Sequence, residues 1–164
     1  MPQQEYRIIT LNVNGLQNPI KRGKLIAKMK REQQHIIFWQ ETHMVKTEHE
    51  KLKKMGFKNT FFSSYTNGNA RGVAILIANK VDFQLSKQVV DKEGRFVLVR
   101  GALDSKEVTL LNVYRPPGQD KTLINRIFDL IATEVSGVLI CGGGLECTVA
   151  SHPRLYKPDK KSEL

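Results

Sequence analysis

The chain is poor in the residues that build stapled or metal-clamped small domains. Its two cysteines, Cys141 and Cys147, stand close together near one end, too few for a disulfide framework, and Cys141 closes an apolar strand as a reduced, buried small hydrophobe. The four histidines, His35, His43, His49 and His152, stand apart from one another and from the cysteines, which excludes zinc-finger spacing. No apolar run approaches the roughly 18 residues of a membrane span, and MPQQEYR lacks the basic-then-apolar layout of a secretory leader. These absences predict an intracellular protein, nuclear or cytoplasmic, with no membrane partner. Acids are also scarce: 26 Lys and Arg face 16 Asp and Glu, a net charge of +10 over 164 residues.

What is present is a 40% hydrophobic chain, enough for one core, and a charge that attracts polyanions. Residues 1 to 60 hold 12 Lys and Arg against 5 acids, a net of +7. Lys21, Arg22, Lys24, Lys28, Lys30 and Arg31 together favour a phosphate backbone as partner. For any single one of them a solvated helix face is the better reading.

Strands and helices alternate. Residues 6–13 read as a strand ending in an Asn14–Gly15 turn, 22–33 as a helix with Leu25, Ile26 and Met29 inward, and 35–40 as a fully buried strand. Thr47 with Glu50 makes a capping box for a helix over 48–55, ended by Gly56. Strands occupy 57–64, 72–78, 82–90, 95–103 and 107–114, separated by turn chemistry. Asp120 caps a third helix carrying Leu123, Ile127, Leu130 and Ile131. A last strand covers 138–141, residues 1–150 form the domain, and 151–164 read as a polar basic tail.

Four apolar runs end in polar residues suited to a phosphodiester-cutting site: Asn12 and Asn14, Glu41, Asn112 and Tyr114, and Gly144 with Glu146. Strands hide aliphatic side chains and deliver the next residues to a sheet rim, so such ends converge on one polar cleft. Taken residue by residue, Glu41 is equally a solvated rim residue, Tyr114 a strand aromatic, Asn12 and Asn14 turn formers, and His43 a partner in local hydrogen bonds.

TLNVNGL (10–16), IIFWQETH (36–43), GVAILIA (72–78), DKEGRFVLVRG (91–101) and LLNVY (110–114), in that order and spacing, resemble the N-terminal part of the endonuclease/exonuclease/phosphatase superfamily. Within it they most resemble the endonuclease domain of non-LTR retrotransposons of the long interspersed type, rather than sugar or inositol phosphatases. The resemblance implies an α/β fold, a four-layer α/β/β/α sandwich that is C-terminally truncated here, and metal-dependent phosphodiester hydrolysis with Mg²⁺ (or Mn²⁺). Glu41 then matches the metal-binding glutamate and Asn12 the asparagine that helps hold metal and phosphate. Tyr114 matches the tyrosine on the scissile phosphate, with Asn112 its neighbour and Asn14 a supporting polar residue. DNA is the implied partner, and a reverse-transcriptase region belongs to the ancestral full-length protein.

The departures fall on the chemistry. Gly144 replaces the aspartate that resembles the water-activating residue, and Glu146 replaces an asparagine that helps hold the transition state. Glu146 is thereby a candidate substitute carboxylate. The later aspartate and Ser-Asp-His motifs of the superfamily have no counterpart before Leu164. Three readings compete: a metal-dependent DNA endonuclease with impaired activity, a non-catalytic nucleic-acid-binding remnant, and a non-functional fragment of a retrotransposon copy. Missing strands would leave an unpaired edge and a marginally stable chain.

Overall fold

The run IIFWQ is buried at all five positions of strand β2, Ile36–Gln40, and its two faces feed two different cores. Period-two alternation sends Ile36 and Phe38 one way and Ile37 and Trp39 the other. The computed structural model describes residues 4–67, 70–118 and 121–144; the expected Asp120 cap, Cys147, Glu146 and the tail over 151–164 lie outside them.

In chain order the elements are β1 (Ile8–Asn12), α1 (Pro19–Arg31), β2, α2 (Lys46–Lys51) continuing as a 3₁₀ turn (Leu52–Lys54), β3 (Asn59–Ser63) and β4 (Val73–Ile77). Then come β5 (Phe83–Val90), β6 (Phe96–Leu103), β7 (Lys106–Val113), α3 (Lys121–Glu134) and β8 (Val138–Gly143). They form two four-stranded sheets, ordered β1-β2-β4-β3 and β5-β6-β7-β8. β1 runs parallel to β2 and β8 parallel to β7, while the remaining pairs are antiparallel.

Three apolar clusters mark the three interfaces of a four-layer α/β/β/α sandwich. Phe38, Ile75, Val97, Val99 and Leu110 fill the space between the sheets. Leu25, Ile26 and Met29 of α1 cover Ile37, Trp39 and Leu76 on the first sheet. Leu123 and Ile127 of α3 cover Phe96, Leu98 and Leu111 on the second, with Leu130, Ile131 and a half-buried Cys141 alongside. Trp39 and Phe38 are almost wholly enclosed, so truncating either to alanine costs about 3–5 kcal/mol.

Two expected boundaries move. Helix α1 begins three residues earlier than its apolar spacing suggests, because Asn18 caps it, its side chain accepting from the Ile20 and Lys21 amides, and Pro19 takes the first turn. Helix α2 starts at Lys46, not after a Thr47/Glu50 box. Glu48 reaches back to accept from the Val45 amide at 3.3 Å, the half of a capping box that valine, with no side-chain acceptor, permits. Among the described residues β1 pairs only with β2 and β8 only with β7, and no helix is long and apolar enough to cross a membrane.

Candidate functional site at the sheet rim

The register brings the ends of the strands to one rim. Asn12 lies opposite Gln40, Gln40 opposite Val73, Ser63 opposite Val73, and Val113 opposite both Phe96 and Gly143. Asn12, Glu41, Arg71, Tyr114 and Gly144 therefore all emerge where the inter-sheet core ends.

Beneath them the two sheets are pinned by amides. Asn112, wholly buried, donates to the Trp39 and Ala74 carbonyls at 2.9 Å each and accepts from Gln40 Nε2 at 2.8 Å. Gln40 also donates to Thr10 Oγ1 at 3.0 Å, which in turn accepts from the Gly143 amide. Asn112 is thus the floor of the site, with every donor and acceptor occupied inside the protein, and its neighbour Tyr114 reaches the opening. Cutting one member of so buried a network leaves the others unsatisfied.

Glu41 stands on a fixed strip of backbone. Its carbonyl accepts from the Gly15 amide at 2.7 Å, Thr42 bonds both Leu16 and Gly72, and the His43 amide donates to the Arg71 carbonyl at 2.8 Å. Asn14, Glu41, His43 and Arg71 all hold positive φ, at 49°, 53°, 55° and 56°. Left-handed backbone costs about 1–3 kcal/mol at a non-glycine residue and gathers at functional sites. The Tyr114 hydroxyl donates to Glu41 Oε1 at 2.5 Å. Burial pushes the phenol up to about 12, the Glu41 hydrogen bond and charge add to it, and the nearby Arg71 opposes it. Tyr114 consequently remains a neutral donor at physiological pH.

Asn12 is exposed and its Oδ1 accepts from the Asn14 amide at 3.0 Å, closing a local turn. Lys21 Nζ crosses the same loop, donating to the Val13 and Asn14 carbonyls at 2.9 and 3.2 Å. Among the described residues no three His, Cys, Asp or Glu side chains gather as a metal cluster. The rim instead offers one carboxylate and one amide oxygen. All-oxygen donors suit a hard cation, and Mg²⁺ is commonly held by one or two carboxylates together with water and substrate phosphate. The residues present thus fit a weak Mg²⁺ or Mn²⁺ site.

The three glycines at the end of β8 differ in what they tolerate. A Cβ on Gly142 would lie 2.5 Å from Phe38 Cγ, and one on Gly143, at φ +95°, would fall on the Val113 carbonyl oxygen. On Gly144 a Cβ meets nothing nearer than Arg115 at 3.8 Å. Gly142 and Gly143 are steric necessities, and Gly144 is not. Glu146 lies outside the described residues.

Two features escaped the sequence reading. Arg22 is not a free phosphate contact: it is buried, its Nε donating to the Leu16 carbonyl at 3.1 Å and its Nη2 lying 3.7 Å from Glu48. His49 is wholly buried behind the Glu41 strip, with Nε2 2.9 Å from Thr42 Oγ1 and Nδ1 2.8 Å from Ser64 Oγ. Burial, reinforced by Arg22, lowers its pKa to about 3, so it stays neutral. Its two hydrogen-bond partners come from the loops after β2 and β3, and no local spacing signals them.

No family model matches the chain. It is 24% identical over 153 residues to the transposon TX1 uncharacterized 149 kDa protein of Xenopus laevis, covering 90% of this chain and 11% of that protein. Among solved structures it is similar to D. rerio TDP2 complexed with a single-strand DNA product, with a TM-score of 0.62 and 14% identity. That match covers 86% of this chain and 60% of TDP2. It is also similar to the endonuclease domain of TRAS1, a telomere-specific non-LTR retrotransposon, with a TM-score of 0.59, 16% identity, and 84% and 56% of the two chains covered. The chain thus spans little more than half of these solved structures and shares their two-sheet α/β fold, that of a retrotransposon endonuclease domain among them.

Proposed function

We propose that this domain is a metal-dependent phosphodiesterase of the retrotransposon DNA-endonuclease kind, in which the half of the site that holds metal and phosphate is in place and the half that activates water is impaired. The observation that carries the reading is the Tyr114–Glu41 hydrogen bond at 2.5 Å, which joins the ends of two sheets on a strained, fixed backbone. Glu41 and Asn12 would hold Mg²⁺ or Mn²⁺, which when bound neutralises phosphate charge and clamps the diester. Tyr114 orients Glu41 through its single hydroxyl proton, and turning that proton from the carboxylate to a phosphate oxygen would make it a neutral donor there. The net charge of +10 draws a polyanion to the rim.

In-line attack on phosphorus also needs a group that orients or deprotonates water. Gly144 supplies neither, and Glu146 is the candidate substitute. Loss of such a residue commonly costs several powers of ten in rate. A second reading, binding of DNA without hydrolysis, is favoured by the same Gly144.

Nicking of supercoiled plasmid in Mg²⁺ tests both. The wild-type chain and Glu41→Ala should nick at the same background level, and Gly144→Asp with Glu146→Asn should rise above both. Wild-type nicking that disappears in Glu41→Ala would mean that the altered site hydrolyses unaided. Silence of the double variant, with DNA binding intact, would favour the binding-only reading.

A further inference from the structure

We propose that Arg71 is a direct contact for a nucleic-acid phosphate at this rim, a role that rests on the phosphodiesterase reading above. The residue sits two positions before β4, and its carbonyl is tied to the His43 amide at 2.8 Å, so its backbone is fixed to the strip that carries Glu41. Its guanidinium lies over the Tyr65 ring, 4.4 Å from the centroid, and Nη1 donates to the Glu93 carbonyl at 3.4 Å. Stacking holds the planar fork in place while most of its five N–H donors stay available for an anion's oxygens.

Its charge is also uncommitted. Among the described residues Arg71 has no carboxylate within ion-pair distance, whereas Arg95 pairs with Asp91 and Glu93, Arg22 with Glu48, and Arg100 with Glu134. A half-buried cation without a carboxylate, beside one end of a polar opening, is placed to receive a phosphate bidentately. The φ of +56° points the same way, since a large side chain is held where glycine would sit without strain.

The test is duplex DNA binding by fluorescence anisotropy in EDTA across a salt series, which reads binding without metal or hydrolysis. Arg71→Gly relieves the backbone strain, so it should melt no lower than wild type while binding falls roughly three- to tenfold. The slope of log K against log salt should shrink by about 0.9, the share of one phosphate contact. Arg71→Lys should keep the slope and recover part of the affinity, a point charge replacing a fork. Lys106→Ala, which removes the same charge from the opposite end of β7, should change neither. Wild-type slope and affinity in Arg71→Gly would overturn the contact alone, as would an equal loss in Lys106→Ala. Absence of binding by folded wild-type protein would overturn the contact and the nucleic-acid reading together.

Discussion

The end of β2 and the end of β8 face the same opening and have been treated differently by the sequence. At β2 a carboxylate is held on costly backbone, bonded on both sides by neighbouring loops and tied to Tyr114 across the sheets. At β8 the chain passes through three glycines, two of which the packing requires and one of which it does not. Steric need explains Gly142 and Gly143, while Gly144 has room for a side chain, including the carboxylate of the proposed function. Glycines that packing demands and one that it does not are thus separable within three consecutive residues.

Substitutions can break or sharpen that separation, beginning with stability. Gly143→Ala should be the most damaging, because it combines a positive φ with a Cβ on top of the Val113 carbonyl. A loss above about 3 kcal/mol in urea unfolding, or failure to fold, is expected. Gly142→Ala overpacks against Phe38 and should cost about 1–3 kcal/mol. Gly144→Ala should lie within about 0.5 kcal/mol of wild type. Equal losses at all three positions would show that Gly144 is structural too.

The strip beneath Glu41 gives a pH signature. His49 is lowered to about 3 in the folded protein against an ordinary value near 6.5, so between these values the unfolded chain binds a proton that the folded one refuses. Its contribution is whole above about pH 6.5 and is lost as pH falls toward 3, by up to about 1.4 kcal/mol per unit. Urea unfolding of His49→Gln at pH 7, 6, 5 and 4 should show that part of the slope removed. An unchanged slope would place the acid sensitivity elsewhere.

A more modest effect than that of Gly142 or Gly143 is expected at Tyr114→Phe, which deletes one hydrogen bond to Glu41. Folding should weaken by roughly 0.5–1.5 kcal/mol, and the absorbance change near pH 12 that marks this phenol should vanish. A variant that retains that titration would assign it to another tyrosine.

Much of this was legible in the residues, for reasons that are local. Short continuous apolar runs such as IIFWQ and LLNVY, and turn chemistry between strands, place β2 to β7 within about two residues, because a buried strand and its ends are written in its own sequence. The start of α1 was displaced because apolar spacing marks where a helix packs, whereas Asn18 and Pro19 mark where it begins. Glu41 and Tyr114 were readable as strand ends, and the structure joins them. Asn112 resembled a site residue, yet it lies in the floor, since position along a strand does not reveal how deep the opposite sheet covers it. Arg22, counted among the phosphate-seeking cations, turned inward to carbonyls that a composition cannot see. His49, buried behind the Glu41 strip, and Arg71, beside the rim, are set by contacts between loops that only the fold brings together.

If Gly144 faces the cation-holding end of the site, a carboxylate placed there should join Glu41 on the ion, and titration of Mn²⁺ by electron paramagnetic resonance tests this without hydrolysis. Wild type should bind weakly, Glu41→Ala should lose binding, and Gly144→Asp should bind at least about tenfold more tightly, as a second carboxylate completes the oxygen set. An affinity unchanged by Gly144→Asp, or a wild-type affinity that survives Glu41→Ala, would contradict a site shared between the ends of β2 and β8.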